Sequence, residues 1–176
     1  MRVIAGKYRG ITLMDFDGYD IRPTADRTKE SLFNILQFKI SGKSFLDLFC
    51  GTGGVGIEAL SRGASRVVFT DESKKSVEIT KKNLLKVKEN APVFLTDANS
   101  FLSRVTEKFD YIFIDPPYKS EVGERALEII FERDLLTENG LVIFEKDMPL
   151  TVLPKNAKIS DTRKYGKAYL TFISKE

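Results

Sequence analysis

Leu46-Asp47-Leu48-Phe49-Cys50-Gly51-Thr52-Gly53-Gly54-Val55-Gly56 is the stretch that decides the fold. The apolar run at 44–49 reads as a buried strand, and 54–63 can wind as a helix. Between them Gly51, Gly53 and Gly56 match the spacing G-x-G-x-x-G, in which glycines let the backbone turn tightly and approach a ligand. Asp71 stands 20 residues after Gly51, near the end of the next apolar run, where a carboxylate can accept from ribose hydroxyls. The same pattern also serves a tight strand-to-helix turn that binds nothing.

Outward from this loop, short apolar runs alternate with amphipathic stretches. Strands are expected at 66–70, 93–95, 111–114 and 141–145, and helices at 73–89, 99–105 and 122–131. That rhythm predicts an α/β fold with a doubly wound, mostly parallel sheet. The end departs from it. Segments 158–163 and 168–174, joined by Tyr165-Gly166-Lys167, read as an antiparallel edge hairpin. At the start, 2–6 and 9–14 can form a small N-terminal β-hairpin around Lys7-Tyr8-Arg9-Gly10. A helix is expected over 25–38, with Thr24 as its cap. The expected organisation is a single domain, 1–176, with a hairpin extension at 1–22 and a catalytic core at 23–176.

Composition removes several function classes. A chain of 176 residues can bury a sizeable core without staples. No apolar run approaches the roughly 18 residues of a membrane span, and the opening is not read as a signal peptide. The single cysteine, Cys50, excludes an internal disulfide and suggests a reducing, cytoplasmic setting. With no histidine in the chain, Ser-His-Asp and Cys-His nucleophile systems cannot be built, and no metal site is expected. Acid-base work falls to carboxylates, Lys, Tyr or backbone groups. Net charge is only +3, but Arg2, Lys7 and Arg9 lie among the first ten residues with no acid, and Arg22, Arg27 and Lys29 follow. Such a patch can contact phosphates, or can simply be solvated.

The glycine loop alone permits a nicotinamide dinucleotide. Three features speak against it: Asp47 inside the first strand's end, the short length left for a substrate region, and the tetrapeptide Asp115-Pro116-Pro117-Tyr118 after the fourth strand. In an open α/β sheet that loop should face the glycine loop across the switch point. An exocyclic amine on a base is a poor nucleophile, because its lone pair is delocalised into the ring. A carboxylate and a backbone carbonyl accepting its N–H bonds would favour positive charge building on nitrogen. Prolines make a stiff loop whose carbonyls can point at a ligand, and an aromatic ring beside them can stack a flipped base. A sulfonium methyl donor carries its own leaving group, so the reaction needs no histidine. The same tetrapeptide could equally be a turn with a packing tyrosine.

On these residues the chain resembles the bacterial 16S ribosomal RNA guanine N2-methyltransferases of the RsmD type, which are class I enzymes using S-adenosylmethionine. The resemblance spans nearly the whole chain. It includes Met1 to Gly10, Arg22-Pro23-Thr24 through Leu36, the donor loop from Asp47 to Gly53, the stretch Gly56 to Ala64, and Asp115-Pro116-Pro117-Tyr118. The tetrapeptide is shared with other amino-methyltransferases; the opening and the Arg-Pro-Thr helix are more specific. Asp71 stands where the family commonly has Glu, and Ile11-Thr12 stand where basic residues often follow.

The resemblance implies a Rossmann-like class I methyltransferase fold. Its substrate would be the exocyclic N2 of a guanine in 16S rRNA of the small ribosomal subunit, of the guanine-966 type, with the base flipped into the pocket. Asp47, Gly51 and Gly53 would line the donor's amino-acid end, Asp71 would hold its ribose, and Asp97 and Ala98 would meet its adenine. Asp115 and the Pro116 carbonyl would hold the target amine, with Pro117 stiffening the loop and Tyr118 stacking on guanine. Arg2, Lys7, Arg9, Arg22, Arg27 and Lys29 would bind RNA, with Arg27 and Lys29 also able to reach the donor carboxylate. The expected partner is 16S rRNA or the small-subunit particle, met by a monomer with no membrane contact. Two rivals remain: a DNA adenine-N6 or cytosine-N4 amino-methyltransferase, and a non-catalytic RNA-binding assembly factor.

Overall fold

The computed structural model describes residues 1–16, 23–117 and 120–176, with side chains throughout except at 23–26. Among the described residues the strands form one seven-stranded sheet. They are β1 (Ser44–Asp47), β2 (Arg66–Asp71), β3 (Val93–Leu95), β4 (Phe109–Ile114), β5 (Leu136–Lys146), β6 (Ala157–Tyr165) and β7 (Ala168–Lys175). Their order across the sheet is β3-β2-β1-β4-β5-β7-β6. The first five run parallel, and β7 pairs antiparallel with both β5 and β6. The helices are α1 (Pro23–Leu36), α2 (Gly54–Ser61), α3 (Lys74–Lys86), α4 (Ala98–Arg104) and α5 (Val122–Glu132). The α/β architecture read from the sequence, antiparallel C-terminal edge included, is thus the observed one.

The central strands carry apolar side chains on both faces because both faces are covered. Phe45, Phe69, Phe113 and Ile143 enter one core with α1, α2, α3 and the N-terminal segment. Leu46, Val68, Ile112 and Phe144 enter the other, under α4 and α5. Two residues beyond the first set stand Asp47, Asp71, Asp115 and Glu145. The two-residue pleat therefore brings four acidic positions to one face of the sheet at its carboxyl edge. The switch point lies between β1 and β4, whose connections leave in opposite directions.

Several boundaries differ from expectation: α1 begins at Pro23, so Thr24 lies within the helix and does not precede it, β4 begins at Phe109, not at 111, and β6 runs from Ala157 to Tyr165. β5 begins at Leu136, not at 141, because Leu136 already pairs with Phe109; the register then shifts between Phe109 and Tyr111 and absorbs Thr137 to Gly140. The N-terminal hairpin is present in its smallest form, a single antiparallel bridge between Arg2 and Thr12. Around it the Val3 N–H donates to the Ile11 carbonyl at 3.0 Å, and the Leu13 N–H to the Met1 carbonyl at 2.8 Å. The ladder stops there because the Ile4 and Ala5 N–H groups are taken by the Glu58 carboxylate of α2, at 2.9 and 3.0 Å. Gly6, at φ 83°, lies so close to α2 that a Cβ would fall 1.9 Å from the Ser61 carbonyl oxygen. Only glycine allows that approach. Val3, Tyr8 and Leu13 are buried in the first core, so this segment packs on the body of the fold.

Candidate active site

A cavity of about 740 Å³ opens at the carboxyl ends of β1, β2, β4 and β5. Its wall brings together most of the donor-binding and catalytic residues singled out in the sequence: Gly51, Asp71, Asp97, Ala98, Asp115, Pro116 and Pro117. Tyr118 lies outside the described residues. Asp47 and Gly53 are buried and do not line it.

On the β1–β2 side the fold holds the loop and its carboxylate together. Asp71 accepts from the Gly51 N–H at 2.9 Å and from the Ser73 N–H at 2.8 Å. Gly53 adopts φ 79°, and a Cβ there would meet Thr80 Cγ2 at 2.8 Å. Thr80 and Asn83, on the inner face of α3, brace this loop. The Thr80 hydroxyl donates to the Gly51 carbonyl at 3.0 Å, and the Asn83 amide donates to Thr52 O at 2.9 Å and to Met14 O at 3.1 Å. Cys50 packs against the same helix, with Sγ 3.5 Å from Thr80 Oγ1. Burial pushes its thiol well above the ordinary range, and the Asp47 charge adds to this, which disfavours a thiolate. Asp97 caps α4 by accepting from the Ser100 N–H at 2.9 Å. Hydrogen bonds from the Ser100 side chain and N–H hold its carboxyl below the usual range.

Asp47 is 1% exposed, and its Oδ2 accepts from the Gly56 N–H at 2.9 Å. Its Oδ1 is buried with no hydrogen-bond partner among the described residues. Burial raises its carboxyl to about 7; the Gly56 N–H opposes that rise, and the charges of Asp115 and Asp71 reinforce it.

On the β4–β5 side, Ile114 pairs with Phe144, so the next positions outward are Asp115 and Glu145. Both line the cavity, and Thr28 of α1 and Lys167 of the β6–β7 turn lie on the same wall. Burial pushes the Glu145 carboxyl up to about 8, and the Asp115 charge pushes in the same direction. Sequence reasoning passed over Glu145. The signal was available, because the fifth expected strand ended on it and ligands gather at such strand ends.

A family whose model is described as Conserved hypothetical protein 95 matches residues 1–174. The Haemophilus influenzae protein named Ribosomal RNA small subunit methyltransferase D is 39% identical over 163 residues, which cover 89% of this chain and 84% of that one. The chain belongs to the RsmD-type methyltransferase family. A Bacillus subtilis protein assigned as an rRNA methyltransferase, YlbH, is 38% identical over 173 residues, 94% of each chain. The solved structure of Escherichia coli yhhF, assigned as a methyltransferase, matches with a TM-score of 0.90 at 31% identity, covering 100% of this chain and 98% of that one.

In this RsmD-type methyltransferase the expected basic contacts separate into two groups. Arg2, Lys7, Arg9 and Arg27 are exposed, and Arg22 lies outside the described residues. Lys29 corrects the expectation. It is 3% exposed, its Nζ donates to the Arg2 carbonyl at 2.8 Å, and it sits 3.7 Å from Glu58 Oε2. Glu58 also accepts from Arg62 Nε at 2.8 Å. Lys29 thus ties the N-terminal segment of this RsmD-type chain to α1 and α2 through the Arg2 carbonyl and the Glu58 carboxylate. Among the described residues no group of three or more His, Cys, Asp or Glu could hold a metal ion, and no helix is long and apolar enough to cross a membrane.

Proposed function

We propose that this enzyme methylates the exocyclic N2 of a guanine in 16S ribosomal RNA, using S-adenosylmethionine, with the base flipped out of its helix. One observation carries the reading: the glycine loop with its carboxylate and the Asp-Pro-Pro loop line one cavity of about 740 Å³. That volume falls in the range of sites for a cofactor-sized ligand. The relatives named for ribosomal RNA support the substrate class.

The residues fit the donor. The buried Asp47 Oδ1 lacks a hydrogen-bond donor, and an ammonium close by would relieve it. In this reading Gly51, Gly53 and Asp47 serve the amino-acid end, Asp71 accepts from the ribose hydroxyls, and Asp97 and Ala98 meet the adenine. When bound, S-adenosylmethionine supplies an electrophilic methyl group on a sulfonium. Asp115 and the Pro116 carbonyl accept the two N–H bonds of the target amine. They orient its lone pair and favour the positive charge that builds on nitrogen. Pro117 stiffens the loop and Tyr118 stacks on the base. Arg2, Lys7, Arg9 and Arg27 contact phosphates.

The test offers the enzyme methyl-labelled donor with unmodified small-subunit particles, naked 16S RNA and DNA, and identifies labelled nucleosides by mass. Labelled N2-methylguanosine from the RNA or the particle is expected. Label in N6-methyladenine or N4-methylcytosine of DNA would overturn the substrate and keep the chemistry. Donor binding without transfer to any of them would favour a binding role.

A further inference from the structure

Glu145 shares the target side of the cavity with Asp115, yet the proposed reaction gives it no role. It stands on β5 one position beyond the Ile114–Phe144 pair, which places it beside Asp115 at the carboxyl edge of the sheet. It lines the main cavity and also a small adjoining recess of about 20 Å³, whose wall again includes Asp115, Pro116 and Pro117. A carboxyl one strand away from the group that holds an exocyclic amine is within reach of the ring atoms flanking that amine. The chemistry of those atoms separates the bases. Beside the amine of guanine lies N1–H, a donor, followed by O6, an acceptor. Beside the amines of adenine and cytosine lies a ring nitrogen that only accepts.

We infer that Glu145 reads the lactam edge of the target guanine, its carboxyl accepting from N1–H and donating to O6. The inference rests on the guanine reading above and adds the group that selects the base. A neutral carboxylic acid carries one acceptor and one donor on the same side, which is the complement of a lactam. Glu145 is suited to that form: its surroundings push its carboxyl to about 8, so it keeps a proton near neutrality. Asp115 thereby has two effects. It accepts from the amine, and its charge keeps its neighbour protonated. The division of labour explains how an Asp-Pro-Pro loop, which by itself does not choose a base, becomes selective. A site built to pair with N1–H and O6 rejects a base lacking them, because its own polar groups would be left unpaired.

The test is a chemical double-mutant cycle. Small-subunit particles are reconstituted with 16S RNA that carries either guanine or 2-aminopurine at the position that takes the label. 2-Aminopurine keeps the 2-amino group but has neither N1–H nor O6. Single-turnover transfer is measured with the wild type, Glu145→Ala and Glu145→Gln, and S-adenosylhomocysteine binding reports on folding. On guanine, Glu145→Ala is expected to lower kcat/KM by about 30-fold or more, while Glu145→Gln, whose amide offers the same acceptor and donor, stays within about 3-fold. On 2-aminopurine, Glu145→Ala is expected to lose nothing relative to the wild type. Equal losses on both bases, or no loss on guanine, would overturn the inference. A wild type that binds S-adenosylhomocysteine but methylates no guanine would instead overturn the parent reading, and this one with it.

Discussion

The two sides of the cavity hold their carboxylates differently. On the β1–β2 side, Asp71 is tied to the N–H groups of Gly51 and Ser73, and Asp97 to that of Ser100. On the β4–β5 side, Asp115 and Glu145 stand side by side, and burial together with the Asp115 charge pushes Glu145 up to about 8. Backbone N–H groups are fixed by the fold, so the first side is built before a ligand arrives. On the second side the charge of one carboxyl raises the other, so a ligand that reaches either of them shifts the pair together. A cofactor common to many reactions suits a preformed seat, while a base that must be selected suits a seat whose carboxyls respond to what it presents.

The largest effect expected from this contrast is on Asp115. Asp115→Ala should lower kcat by about 10²-fold or more, with the donor Kd within about 2-fold of wild type, as read by single-turnover transfer and calorimetry. A donor Kd that weakens as much as the rate falls would erase the distinction between the sides. Asp47 is the exception on the preformed side, because the fold leaves one of its oxygens short. Its carboxyl is raised in the folded state from the unfolded value of 3.8 to about 7, so between those values the native protein holds the extra proton. Its contribution therefore becomes unfavourable as pH rises from about 4 to about 7, by an amount on the order of 4 kcal/mol. Urea unfolding across that window should show the wild type losing more stability than Asp47→Asn. Parallel pH profiles would contradict the assignment.

The smallest effect concerns the surface. Replacing Arg2, Lys7 and Arg9 together should reduce the salt dependence of RNA binding by roughly one unit of slope for each phosphate no longer neutralised. Lys29→Met should leave that slope unchanged and lower the unfolding midpoint, since it removes one of the two cations paired with buried Glu58 and the donor to the Arg2 carbonyl. If Lys29→Met changes the slope as each surface cation does, the clamp reading fails.

Much of this was legible along the chain. The span of β3 could be read directly because turn signals bound its short apolar run. Asp71 was found by its spacing from Gly51, a separation fixed by the length of one helix and one strand. Lys29 was misread because its charge was taken as exposure. Leu32, Phe33 and Leu36 are buried, and Lys29 lies three and four residues before the first two, on the same stripe of α1. Glu58 gave no local sign of its role, because Ile4, Ala5 and Lys29 reach it from distant parts of the sequence. β5 looked shorter than it is because Thr137-Glu138-Asn139-Gly140 has the composition of a turn, and only the pairing of Leu136 with Phe109 carries the strand past it.

The central claim is that the donor is held at the β1–β2 side and the reaction is driven from the β4–β5 side. Calorimetric titration of S-adenosylhomocysteine into the wild type, Asp71→Ala and Asp115→Ala tests it most directly. The account predicts binding about 10-fold or more weaker for Asp71→Ala, through loss of the ribose acceptor and of the carboxylate that ties down the glycine loop, and near wild-type binding for Asp115→Ala. Unchanged binding in Asp71→Ala, or equal weakening in both variants, would contradict it.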